Sequence, residues 1–417
     1  MCITLPGQVV EIGLGWAKIE ANGKKRKVQL LDSDFKIGDW VLSTDEYLVR
    51  KISKIEADEI ASLFANYKTE PTTDQKLSVI LDNSLSRDLS VEEIEFLLGL
   101  EKTEDLESLY AQANVVRLAT ALNHICVHGI IEFSNYCKNN CHYCGLRCSN
   151  NNVFRCRLDP EDLIETAVRA VNKKGYKILV LQSGEDDYYK TEILEEIISE
   201  IKKQARVFLY LSIGERTIED YRRLKLAGVN GVLIRFESSN EKLYQTLRPS
   251  HDLNDRLKLI NELKDLGLIM STGFIIGLPG QNNRDLANDL LLLKQLNPFM
   301  PSIGPLVPSS DTPLSSSLMP DKEQILKVIA ITRLIIPRAR LPITTAMETL
   351  YGENFRQEAF LAGANSLMLN LTPEKLRDNY YIYENKFFDE EKKFEKWALF
   401  KGDLSYQMLE EELKTKI

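Results

Sequence analysis

Long apolar runs are missing from this 417-residue chain. The longest uncharged apolar run, Gly267 to Gly280, is about 14 residues and broken by glycine, too short to span a bilayer. A basic surplus is missing as well. With 53 Lys and Arg against 61 Asp and Glu the net charge is −8, which argues against holding a nucleic acid by bulk charge. No basic and then apolar leader follows Met1, where Cys2 and Pro6 come almost at once, so the chain is expected to be soluble and cytoplasmic, with no membrane and no nucleic acid among its partners. Cysteine is sparse, at 7 residues, and none follows Cys156. Four of them crowd between Cys137 and Cys148, which in a chain without an export signal suggests metal or redox chemistry before a disulfide framework. What is present is ordinary globular composition, 44% hydrophobic and 27% charged, with ample material for a core.

Two unequal parts follow one another. Through residue 55, short runs alternate apolar and polar residues between glycine turns. Strands are predicted at Gln8 to Ile12, Trp16 to Glu20, Lys27 to Leu31, Trp40 to Leu42 and Tyr47 to Ile52, a small all-β unit of five-stranded barrel type. Helical spacing from Ile55 to Tyr67 closes this first domain at residue 67, and 68–75, with Pro71 and two threonines, is the linker. Residues 76–122 are a helical lead-in, in which Ser90 with Glu93 forms a capping box and Thr103 repeats the device. Residues 123–390 then alternate strand and helix eight times. Strands are predicted at 129–134, 177–184, 207–214, 231–238, 269–277, 302–307, 342–346 and 366–371. That count fits an α/β fold of (β/α)8 barrel type, with an open doubly wound sheet as the alternative, and a helical tail at 391–417 completes the chain. In such a barrel the functional residues lie on the loops after the strands.

The first of those loops reads Ser134-Asn135-Tyr136-Cys137-Lys138-Asn139-Asn140-Cys141-His142-Tyr143-Cys144. Three thiolates at Cys-x3-Cys-x2-Cys spacing can hold three irons of a cubane cluster and leave the fourth iron open to an outside ligand. A structural zinc site wants four ligands, and His142 or Cys148 could complete one, so zinc is the alternative.

The spacing, with an aromatic before the third cysteine, resembles the signature of the radical S-adenosylmethionine (SAM) superfamily. The resemblance implies a 4Fe-4S cluster on Cys137, Cys141 and Cys144, with SAM as the second cofactor, cleaved reductively to a 5'-deoxyadenosyl radical. It also implies a one-electron donor of ferredoxin or flavodoxin type. The blocks His124 to Asn135, Cys144-Gly-Leu-Arg147, Leu181 to Asp186, Gly277 to Gln281 and Thr344 to Met347 resemble the HydE family of FeFe-hydrogenase maturases over residues 76 to 390. Methylornithine synthase and biotin synthase share the cysteine motif.

By that resemblance Gln182, Ser183, Gly184 and Glu185 receive the SAM amino group, and Ser212 and Glu215 its ribose. Arg256 resembles the residue for the SAM carboxylate. Arg235 and Glu237, two apart on the fourth predicted strand, are expected on one face as an ion pair or around a ligand carboxylate. Thr344, Thr345, Tyr380 and Tyr383 fall in the substrate cavity or at its mouth. Against each stands an ordinary reading as a structural ion pair, a turn or packing. Many maturases of this family carry C-terminal cysteines for a second cluster; with none after Cys156, no such cluster is expected.

Met1-Cys2-Ile-Thr-Leu-Pro6-Gly7 to Ile12 resembles the start of the HypC/HupF family of small hydrogenase maturation chaperones. This implies that Cys2, at a mobile terminus freed of Met1, helps hold an iron with cyanide and carbonyl ligands. Together these resemblances imply a radical SAM enzyme of hydrogenase metallocofactor assembly, acting on a small cysteine-bound iron carbonyl–cyanide unit beside other maturation proteins. An amino-acid mutase similar to methylornithine synthase and a non-catalytic cluster carrier are the alternatives.

Overall fold

The structure, a computed structural model, describes residues 2–21, 23–30, 34–43, 47–64, 72–120 and 124–388. The expected tail at 391–417 and most of the expected linker lie outside the described residues.

Strand β1 (Cys2–Thr4) precedes a closed barrel of β2 (Gly7–Gly13), β3 (Trp16–Ala21), β4 (Lys24–Leu30), β5 (Trp40–Ser43) and β6 (Tyr47–Ile52), in the order β2-β3-β4-β6-β5. The alternation predicted from sequence fills it: Val9, Ala17, Ile19, Val28, Val41 and Leu48 point inward and form one core. Helix α1 (Lys54–Ser62) follows behind a capping box of Ser53 and Glu56, and residues 65–67 of the expected helix are not among those described.

The lead-in consists of α2 (Gln75–Asn83), α3 (Val91–Leu98) and α4 (Thr103–Thr120). Ser90 and Glu93 cap α3 reciprocally, as expected. Thr103, by contrast, is the first residue inside α4 and no cap, since the Leu106 amide bonds the carbonyl of Lys102. Buried Arg117 of α4 donates to the Leu63 carbonyl at 3.3 Å and ties the lead-in to the first unit.

Eight parallel strands then alternate with helices. They are β7 (His124–Ser134), β8 (Ile178–Ser183), β9 (Phe208–Ser212), β10 (Gly231–Leu233), β11 (Ile269–Thr272), β13 (Met300–Pro301), β15 (Pro342–Ile343) and β16 (Ser366–Asn370), with the short pair β12 (Ile275–Ile276) and β14 (Gly304–Pro305) continuing β11 and β13. Their order, β13-β11-β10-β9-β8-β7-β16-β15, leaves a gap that the Arg340 amide bridges to the Phe299 carbonyl at 3.0 Å. The barrel predicted from sequence is therefore present and the open-sheet alternative is not. Toward the strand starts its interior is plugged by Ile130, Ile178, Val180, Phe208, Tyr210, Met300 and Met368.

Several strands end sooner than expected, and the reasons are local. Gly273 parts β11 from β12, where a Cβ would lie 2.2 Å from the Ser302 carbonyl oxygen, so the two crossing segments require glycine. The fourth strand stops at Leu233, and Glu237 adopts a left-handed φ of 62°. Arg235 and Glu237 therefore do not share a face through strand alternation. The seventh stops at Ile343, because Thr344 takes the N-cap position, without a side-chain capping bond, and Thr345 opens the helix Thr345–Tyr351.

Strand β1 has no counterpart in the sequence expectations. It pairs antiparallel with the first residues of β7, Cys2 opposite Cys126 and Thr4 opposite His124, and the Thr4 hydroxyl donates to the Ser43 carbonyl at 2.9 Å. The terminus read as mobile is thus a strand, placed at the strand-start end of the large barrel.

Candidate active site

The opposite end of that barrel opens into a cavity of about 300 Å³. Cys137, Cys141 and Cys144 form one wall of it, on the loop that leaves β7 directly. Backbone bonds from four sides hold this loop. The Lys138 amide donates to the Glu185 carbonyl at 3.0 Å, His142 to Leu247 at 2.8 Å, Gly145 to Ile382 at 2.8 Å and Cys148 to Asn139 at 2.8 Å. Gly184 allows the approach, since a Cβ there would stand 2.1 Å from the Tyr136 oxygen and 2.7 Å from the Cys137 Cβ.

Burial pushes the Cys137 thiol up, takes Cys141 to about 11 and Cys144 higher still. Without added positive charge these groups stay protonated, and iron would supply that charge. The zinc alternative finds no support. Neither His142 nor Cys148 lines the cavity, and Cys148 is exposed. Three thiols on one wall suit a cluster that spreads its ligands over several irons.

The second wall is Gln182, Ser183, Gly184 and Glu185 at the end of β8, with Ser212 at the end of β9. The Glu185 amide donates to the Cys137 sulfur at 3.4 Å, so this turn and the cysteine loop are one assembly. Burial raises the Glu185 carboxyl above its usual range, countered by the nearby Arg248 charge. Arg235 and Glu237 meet at 3.1 Å beyond the end of β10, and the Tyr143 hydroxyl donates to Glu237 at 2.8 Å. The aromatic before the last cysteine thereby ties the cysteine loop to the floor. Buried Arg256 lines the cavity but pairs with Glu215 at 2.7 Å, and Glu215 itself stands behind the wall, with His251 at 3.3 Å. Of the residues expected to touch SAM, Glu215 is the one that the structure does not bring to the cavity surface.

Thr344, Thr345, Tyr380 and Tyr383 form the far side, as expected. The Thr344 hydroxyl is buried without a hydrogen-bond partner, as are Nε and Nη2 of Arg248. Such atoms at a cavity wall mark places for ligand groups. Arg248, Glu132 and Lys386 were not foreseen. Glu132, on the inner face of β7, is ion-paired to Lys386 and accepts from the Asn370 amide at 2.7 Å. Tertiary folding alone brings these three together, and only the alternation along β7 could have flagged Glu132.

Residues 131–293 match the family described as the radical SAM superfamily, residues 302–394 the biotin and thiamin synthesis associated domain, and residues 1–64 the HupF/HypC family. FeFe-hydrogenase maturase subunit HydE of Thermotoga maritima is 39% identical over 307 residues, which cover 74% of this chain and 87% of that protein. The chain belongs to the HydE family. It is a radical SAM enzyme whose cofactors are a 4Fe-4S cluster and SAM, joined to a HupF/HypC-type domain. This HydE-family chain is also 30% identical over 279 residues to 3-methylornithine synthase of Methanosarcina acetivorans, covering 66% of the chain and 78% of that enzyme. Among solved structures, methylornithine synthase PylB is 25% identical with a TM-score of 0.64, over 70% of this chain and 85% of that one. The maturase HydG of Carboxydothermus hydrogenoformans, at 21% identity and a TM-score of 0.65 over 82% and 79%, shares the fold. No helix among the described residues is long and apolar enough to cross a membrane.

Proposed function

We propose that this chain is a cytoplasmic maturase that assembles a hydrogenase metallocofactor, and that its substrate is a small cysteine-bound iron carbonyl–cyanide unit. The observation that carries the reading is one cavity, with three half-buried cysteines on one wall and polar groups without partners on the others. Cys137, Cys141 and Cys144 would hold the cluster, which when bound would supply the one electron for cleavage of SAM to methionine and a 5'-deoxyadenosyl radical. Gln182, Ser183, Gly184 and Glu185 receive the ammonium of SAM, Ser212 its ribose, and Arg256 its carboxylate. Glu215 acts from behind, by orienting Arg256. Arg235 and Glu237, already paired, position SAM and bound substrate from the floor, and Thr344, Thr345, Tyr380 and Tyr383 enclose the substrate. A one-electron donor of ferredoxin or flavodoxin type and other maturation proteins are its partners.

Anaerobic reconstitution with iron and sulfide, followed by EPR with and without SAM and assay of 5'-deoxyadenosine, tests the core of this reading. A 4Fe-4S signal that shifts with SAM and yields 5'-deoxyadenosine is expected, and Cys141→Ser should abolish both. A cluster indifferent to SAM would favour the carrier.

An amino-acid substrate is the second reading, favoured by the kinship with methylornithine synthase over two thirds of the chain. A free amino acid that, in a panel of them, stimulated 5'-deoxyadenosine formation several-fold would support it.

We further propose that Cys2 holds iron for the small domain. Its strand lies beside the start of β7, eight residues of strand before Ser134, or about 26 Å from the loop that bears Cys137 at about 3.3 Å per residue. Cargo shared between the two sites must therefore pass along the barrel or around it. Cys2→Ala should lower iron bound by the unreconstituted protein while leaving SAM cleavage intact; unchanged iron and unchanged downstream maturation would remove Cys2 from the scheme.

A further inference from the structure

Arg248 occupies an unusual position among the charges of the cavity. Its side chain is 5% exposed and lines the same cavity as the three cysteines. Three other cations there are in direct contact with a carboxylate, Arg256 with Glu215 at 2.7 Å, Arg235 with Glu237 at 3.1 Å and Lys386 with Glu132. Arg248 pairs less closely. Its Nη2 stands 3.6 Å from Glu215 and 3.8 Å from Glu185, and neither Nε nor Nη2 has a hydrogen-bond partner.

The backbone keeps this charge against the cysteine loop. The Arg248 amide closes the last turn of helix Glu241–Leu247 onto Tyr244 at 2.8 Å, and the adjacent Leu247 carbonyl accepts the His142 amide at 2.8 Å, between Cys141 and Cys144. The guanidinium also stands 3.8 Å from the carboxylate of Glu185, whose backbone amide donates to the Cys137 sulfur at 3.4 Å, so Arg248 and the cysteine loop face one cavity as one assembly.

A 4Fe-4S cluster on three thiolates is already anionic, and the electron that it accepts adds one more negative charge with no proton following. A buried cation nearby favours the reduced form, and low dielectric magnifies the effect. We propose that Arg248 sets the reduction potential of the cluster, holding it within reach of the one-electron donor before SAM binds. This rests on the assignment of the cluster to Cys137, Cys141 and Cys144. Arg248 is here an electrostatic residue, distinct from the cation assigned to the SAM carboxylate.

The test is an EPR-monitored redox titration of the reconstituted full chain, without SAM, for wild type, R248K and R248Q at matched iron and sulfide content. A midpoint shifted to more negative potential in R248Q and largely restored in R248K is expected. R248Q with a full cluster and the wild-type midpoint overturns the proposal and leaves Arg248 at most a SAM contact, visible as weaker SAM binding alone. Should R248Q assemble no cluster, R248K decides: a full cluster near the wild-type midpoint upholds a role of charge, and a failure of R248K as well assigns the need to the shape of the guanidinium. A wild-type protein that forms no SAM-responsive cluster refutes the functional reading itself, which is a different result.

Discussion

A single hydrogen atom in place of a side chain decides whether the cysteine loop can sit where it does. Gly184 faces the Tyr136 carbonyl and the Cys137 Cβ at distances that no other residue tolerates, 2.1 and 2.7 Å from an added Cβ. Gly184→Ala should therefore displace the Cys137 side of the loop and cut reconstituted iron and sulfide several-fold while the fold persists by circular dichroism; an undiminished cluster would show that the loop has slack. At this scale the sequence was informative where chemistry sits in a short motif. The spacing of Cys137, Cys141 and Cys144 and the run from Gln182 to Glu185 are local, and the structure puts them on adjoining walls. Arg248 and Lys386 carried no such signal, because a buried charge is defined by what surrounds it, and their surroundings come from distant segments. Glu215, at the end of the third strand region, is not in the cavity lining itself, and its carboxylate pairs with Arg256, on a later helix, which is.

Between residues and the molecule stand the segments that the barrel uses to brace its loops. Asp289, fully buried on helix Asn283–Leu296, accepts from the Ser239 amide at 2.5 Å, the Ser239 hydroxyl at 2.6 Å and the Gln281 amide at 3.2 Å. One carboxyl thus fastens the loops after the fourth and fifth strands. Burial raises it to about 6, the hydrogen bonds only partly opposing. The folded value lies above the unfolded one, so the folded state binds the proton more tightly. Its stabilising contribution is complete below about pH 4 and is lost as pH rises through about 6, roughly 3 kcal/mol in all at 1.36 kcal/mol per unit. Asp289→Asn should remove that slope, so that urea unfolding between pH 4.5 and 7 shows the variant gaining on wild type as pH rises. A constant difference would contradict the assignment. Element lengths were less legible than element identities. The fifth predicted strand breaks in two where Gly273 crosses Ser302, the sixth begins before its predicted start and is interrupted at the same crossing, and the fourth ends at Leu233, short of a left-handed Glu237, since close crossings between segments override local alternation.

For the whole molecule, the joint between the small barrel and the large one combines the Arg117 contact to Leu63 with the ladder of β1 on β7. Proline at Ile3, opposite Ile125, removes a backbone donor from that ladder. Ile3→Pro should speed amide exchange at Ile125 and leave the SAM-dependent EPR change intact, because the cluster loop lies at the other end of β7. Exchange that stayed slow would mean that neighbouring β16 alone protects this strand, where the Cys126 amide bonds the Asn365 carbonyl at 3.0 Å.

The ladder also imposes an order on biosynthesis. The five strands of the small barrel are complete by Ile52, whereas the partner of β1 begins only at His124. At about 5–20 residues per second, a ribosome takes on the order of ten seconds to cover that distance. For this interval the small barrel can close while its leading strand waits without a mate. The first residues of the described chain to be made are among the last to find their place, and the seam between the two units is sewn only after the first of them has folded.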